Sequence, residues 1–131
     1  MTNLLRWLRR PHVQALLWTL GILTAVTVPA STMPTGPPDI GVDKIAHLIM
    51  FGGFGLLWMR ALAAWPEHRA LLLVGSVGMA LAAGTELLQH LVLETRQGAL
   101  YDALANALGL ALGMMWAVWR PVQSDAEATP S

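Results

Sequence analysis

Four nearly uninterrupted apolar stretches take up most of this 131-residue chain and leave little else to fold. They run from Val13 to Ala30, Ile45 to Trp65, Ala70 to Leu93 and Tyr101 to Trp119. A helix needs about 20 mostly apolar residues to cross a hydrocarbon core of roughly 30 Å, and each stretch approaches that length. Only 12% of the residues are charged against 55% hydrophobic, where an ordinary soluble domain carries about a quarter charged residues. The expected fold is an all-α membrane protein, a four-transmembrane-helix bundle over residues 1–120, with a disordered polar tail over 121–131. No cysteine occurs, which excludes disulfides and thiol catalysis.

Net charge is zero, yet its distribution orients the bundle. Arg6, Arg9, Arg10, Arg60, Arg69 and Arg120 fall on one side of a four-pass arrangement, and Lys44 and Arg96 on the other. Short loops rich in Lys and Arg stay in the cytoplasm, so both termini and the 66–69 turn are expected inside, with the 31–44 and 94–100 loops outside. Trp7, Trp65, Trp116 and Trp119 collect at the inner boundary, where an indole sits half wet and half apolar. The basic start and Val28-Pro29-Ala30 ending of the first stretch resemble a cleavable signal. Its apolar run is longer than a usual signal core, and a retained span is expected.

Residues 31–42 hold three prolines and many turn formers, so no helix continues through them. Asp43 stands where an N-cap would start the second helix. The short turn at Pro66 and Glu67 makes the second and third helices antiparallel neighbours. Small residues allow close approach in lipid, where packing rather than water exclusion drives association. The fourth stretch has Ala105, Gly109, Gly113 and Ala117, the third has Ser76, Ala80 and Gly84, and the second has Gly52, Gly53 and Gly55. The first lacks such a stripe and is expected to be peripheral.

Glu86 lies inside the third stretch, and an ionisable residue at membrane depth is a functional-site hypothesis in itself. Residues three and four apart share a helix face, which groups Asp43 with His47, Glu86 with Gln89 and His90, and Asp102 with Asn106. The second and fourth helices begin on the outer side and the third ends there. All three polar stripes therefore belong to the outer half of the membrane, with Glu86 roughly 10 Å below the boundary at about 1.5 Å per residue. One shared, outward-facing pocket is expected, with Lys44 and Arg96 at its mouth and Glu86 at its bottom. Asp43 and Asp102 also have simple structural roles at helix starts, and Gln89 and Asn106 can serve as interhelical glue. His90 suits the headgroup level, and His12 and His68 the cytoplasm.

In order, Asp43-Lys44-Ile45-Ala46-His47, Phe51, Glu86-Leu87-Leu88-Gln89, and Arg96 with Asp102, Asn106, Gly109 and Gly113 resemble the VanZ-like family of small bacterial membrane proteins. The match covers residues 43 to 113. One departure is local, since Glu94-Thr95 stands where the family often has Pro-Gly before the loop arginine. The resemblance implies a multi-pass protein of the bacterial cytoplasmic membrane and cell envelope, with founding members linked to teicoplanin resistance. It also carries over a ligand-binding set of Asp43, Lys44, His47, Glu86, Gln89, Arg96, Asp102 and Asn106.

Three functions compete. The first is a site open to the outer leaflet for a membrane lipid, a lipid-linked peptidoglycan precursor or a glycopeptide antibiotic. The second is a membrane-embedded hydrolase or transferase with His47 and Glu86 as its acid/base pair. No side-chain nucleophile supports it, because Thr85 points about 100° away from Glu86 on a helix. The third is a structural or accessory subunit. His47, Glu86, His90 and Asp102 are conceivable metal ligands, but no His-Glu-x-x-His motif occurs, and neither metal nor cofactor is expected. No P-loop, dinucleotide fingerprint or basic nucleic-acid surface is present. Oligomerisation is left open.

Overall fold

The computed structural model describes residues 2–28, 41–93 and 99–120. The loops expected over 31–42 and 94–99 fall almost wholly outside these residues, as does the 121–131 tail. Every regular element among the described residues is a helix, with α1 over Thr2–Leu8, α2 over Pro11–Thr27, α3 over Val42–Ala61, α4 over Glu67–Leu93 and α5 over Ala99–Trp119.

Proline and glycine set most of the boundaries. Pro11 opens α2, and Arg10 before it is extended at φ −67° and ψ 130°. Proline disfavours the helical region for its predecessor, and this separates α1, which the apolar pattern does not reveal, from α2. The same rule applies before Pro29, where Val28 is extended and ends α2 at Thr27 rather than at the expected Ala30. Gly41, not Asp43, caps α3: it is left-handed at φ 58°, a conformation open to glycine without a Cβ penalty. Its carbonyl accepts the first bonds from Lys44 N at 2.9 Å and Ile45 N at 3.2 Å. Asp43 lies inside the first turn. α3 stops at Ala61, short of the expected Trp65, because the chain must reverse before Pro66.

Among the described residues three helices, Val42–Ala61, Glu67–Leu91 and Leu100–Trp119, are long and apolar enough to cross a membrane. α2, with 17 residues, is about 26 Å long at 1.5 Å per residue and lies at the short end of spanning lengths.

The closest helix pair is α3 with α5. Gly109 on α5 faces the carbonyl of Leu48, and Gly113 faces the carbonyl of Gly52, so closely that a Cβ on either glycine would collide with backbone. The expected stripe on α5 is thus a contact surface. On α4 the expected stripe is not: Ser76, Ala80 and Gly84 are exposed, and the buried row is Ala70, Val74, Gly78, Ala82, Thr85 and Gln89. Both rows contain small residues at helical spacing, and Gly78, against which Leu110 packs, decides between them.

α2 is the outer helix of the group, in contact mainly with α3, yet it is fastened. Ala15, Ile22 and Val26 are buried. The Trp18 indole donates to the Met50 carbonyl at 2.8 Å, in the space left by Gly53. The Trp58 indole donates back to the Thr19 hydroxyl at 3.0 Å. Phe51, Phe54, Leu110, Val74 and Ile22 form the core between these helices.

Candidate functional site

The core face of α3 continues upward from Phe54 and Phe51 to His47, in steps of three and four residues. A polar group placed on such a face is carried into the bundle with its apolar neighbours. His47 is 3% exposed. On α5, Gly113, Gly109, Asn106 and Asp102 follow the same rhythm, and the glycines that draw α5 against α3 bring Asn106 and Asp102 into the interface. Asn106 is fully buried and Asp102 is 2% exposed. α4 runs antiparallel and delivers Glu86 one turn beyond the buried Ala82.

These side chains form a relay across three helices. His47 Nδ1 stands 2.8 Å from Asn106 Oδ1. A carboxamide oxygen only accepts, so Nδ1 carries the proton and donates. Asn106 Nδ2 donates in turn to Glu86 Oε1 at 3.1 Å. Nδ1 and Glu86 Oε1 are 3.6 Å apart, outside direct proton-transfer distance; Asn106 mediates between the two groups. Asp102 completes the cluster, with one ligating atom each from His47, Glu86 and Asp102 within 4.8 Å of one another.

The remaining residues of the expected set occupy several places. Gln89, one turn beyond Glu86, is 8% exposed, and its Oε1 makes no hydrogen bond among the described residues. Asp43 and Lys44 are half-buried at the start of α3, and His90 is exposed, as are His12 and His68. Arg96 lies outside the described residues. Glu86, expected at the bottom of the pocket, is bonded to Asn106; its side chain keeps 14% exposure while Asn106 is fully buried. α4 packs less closely on α3 than α5 does, so its polar group is less enclosed. Thr85 is buried, and its hydroxyl donates to the Ala82 carbonyl at 2.8 Å, which occupies it within its own helix.

Sequence reasoning placed Asn106 in the group but not at its centre, because centrality depends on how far apart three helices stand. It missed Trp18, Thr19 and Trp58 as the fastening of α2. An indole well inside an apolar stretch is the signal available there, since its N–H needs an acceptor when buried.

The model of the VanZ/LLP1 family matches residues 3–120 of the chain. The chain belongs to the VanZ/LLP1 family. The family match and the three apolar helices of membrane-crossing length make it a VanZ/LLP1 membrane protein. No curated protein and no solved structure matches it.

Proposed function

We propose that this VanZ/LLP1 protein is a four-span protein of the bacterial cytoplasmic membrane, with both termini cytoplasmic. In this arrangement α2 spans the membrane beside α3, α4 and α5, and the polar cluster of those three helices binds the head of an amphiphile at outer-leaflet depth. The ligand class is a polar envelope lipid, a lipid-linked peptidoglycan precursor or a lipid-bearing glycopeptide antibiotic. The observation that carries the proposal is the His47, Asn106 and Glu86 relay. Three helices contribute one polar side chain each to it, at a depth where simple helix packing needs none.

Two features support binding. Gln89 Oε1 is a buried acceptor without a donor among the described residues, and a ligand hydroxyl or amide can supply one. Below the cluster, Thr19, Phe54, Trp58, Val74, Val77 and Leu81 line an apolar cavity of about 290 Å³ between α2, α3 and α4. Leu81 precedes Glu86 by five residues, or about 7.5 Å along a helix. Five residues also turn a helix by about 140°, so the cavity lies on the α2 side of α4 and offers an apolar space near the cluster rather than a continuation of it.

A catalytic role for His47 and Glu86 has less support. Their 3.6 Å separation leaves no direct acid/base contact, and the Thr85 hydroxyl is held by its own helix.

The test is mass spectrometry of lipids and precursors retained by gently purified wild type beside Glu86→Gln. A species enriched on the wild type and lost from the variant is expected. The same lipid profile on both proteins would overturn the proposal.

A further inference from the structure

We propose that His47, Glu86 and Asp102 form a divalent-cation site, with Gln89 Oε1 as a further oxygen donor. The inference goes beyond amphiphile binding and does not need it.

Distance comes first. Metal bonds to imidazole nitrogen and carboxylate oxygen are about 2.0–2.2 Å, so two ligands of one ion stand no more than about 4.4 Å apart. The three ligating atoms are already within 4.8 Å of one another, and inward shifts on the order of 0.5–1 Å bring the set to bonding range. The groups come from α3, α4 and α5, so the site is assembled by the fold rather than by a local motif. This is why a search for closely spaced ligands along the sequence finds none.

Gln89 is the second and independent observation. It is 8% exposed and its Oε1 is a buried acceptor with no hydrogen bond among the described residues. Gln89 stands one turn above Glu86 on α4, and Asp102 one turn above Asn106 on the antiparallel α5. The Glu86 and Asn106 side chains are bonded to each other, which puts Gln89 and Asp102 at similar levels, about 4.5 and 6 Å further out at 1.5 Å per residue. A buried carbonyl-type oxygen at the level of Asp102 is a donor of the kind a cation takes.

One nitrogen and several oxygens make a donor set suited to Mn²⁺, Fe²⁺ or Zn²⁺ and poorly suited to Cu⁺, which prefers sulfur. Coordination through His47 Nδ1 requires the ring proton to reside on Nε2. The Nδ1 proton leaves to solvent and, in a neutral ring, one is taken up at Nε2. Asn106 Oδ1 then loses its donor and becomes available to the ion, while Asn106 Nδ2 can keep its bond to Glu86.

The test uses the full chain in lipid nanodiscs, free of any histidine tag and stripped with a chelator, titrated with Mn²⁺ and followed by electron paramagnetic resonance. One bound ion per chain is expected. Affinity should fall at least tenfold in Asp102→Asn and His47→Gln and be unchanged in His90→Ala. Gln89→Leu, which keeps bulk in a buried position, should weaken binding while leaving helicity and gel-filtration behaviour intact. It keeps the test decisive where the other variants fail to fold. Mn²⁺ that stays free beside the wild type, or affinity unchanged in Gln89→Leu and in a folded Asp102→Asn, would overturn the proposal. Lipid identification on the same preparation keeps the two proposals apart, since either result can be negative alone.

Discussion

His47 of α3 and Asn106 of α5, 59 positions apart in the chain, meet in a buried 2.8 Å hydrogen bond. The same asparagine donates to Glu86 of α4, so one uncharged side chain links an imidazole to a carboxylate between three helices.

Removing that link leaves both neighbours short of a partner. Asn106→Leu keeps the bulk and deletes both bonds, and a buried polar group left unsatisfied costs about 1–3 kcal/mol. Thermal or denaturant unfolding in detergent should show a loss of that size. An unchanged midpoint would mean that the relay contributes nothing to the fold.

The direction of the His47 bond has a spectroscopic signature. Nitrogen-15 NMR of histidine-labelled, chelator-stripped protein should find His47 with its proton on Nδ1, and Asn106→Leu should release that preference. A ring protonated at Nε2 alone would contradict the bond direction.

Glycine substitutions separate the two rows of small residues. Gly109→Ala and Gly113→Ala place a methyl against the carbonyls of Leu48 and Gly52, and overpacking of this kind costs typically 1–3 kcal/mol or more. A methyl on Gly84 would meet nothing within 4 Å. Gly84→Ala should therefore be neutral or stabilise by roughly 0.5–1 kcal/mol through the gain over glycine in a helix interior. Unfolding midpoints of the three variants provide the comparison.

The fastening of α2 is testable by a double-mutant cycle. Trp58→Phe and Thr19→Val each delete one end of the 3.0 Å indole-to-hydroxyl bond, and their coupling should be close to 0.6 kcal/mol, roughly the average for interhelical bonds in membranes. Additive effects would show that this bond does not hold α2.

Absence of native cysteine makes single-cysteine labelling a direct test of topology. Tyr101→Cys should react with an impermeant reagent in intact cells, and Thr2→Cys and Glu67→Cys only after lysis. Thr2 and Glu67 on opposite sides would remove α2 from the spans.

Three of the four expected spans and the polar stripes were legible because period and length are local properties. His47, Glu86, Asp102 and Asn106 could be grouped from spacing and antiparallel order alone. The small-residue row of α4 was misread for a physical reason: Ser76, Ala80, Gly84 and Gly78 all sit on a helix that lipid or protein can cover, and only the approach of Leu110 selects Gly78. The cap of α3 was misread because Asp43 is a good capping residue, while the turn that precedes it is set by Gly41 at positive φ. Asn106 as the innermost group depends on the closeness of α3 and α5, which periodicity does not measure.

That closeness has a mechanical consequence. With backbone against backbone at Gly109 and Gly113, α3 and α5 cannot slide past one another without collision, and the pair acts as a single strut. In the proposed binding role, any adjustment of the site falls to α4, which carries Glu86 and Gln89 and packs on α3 less closely than α5 does.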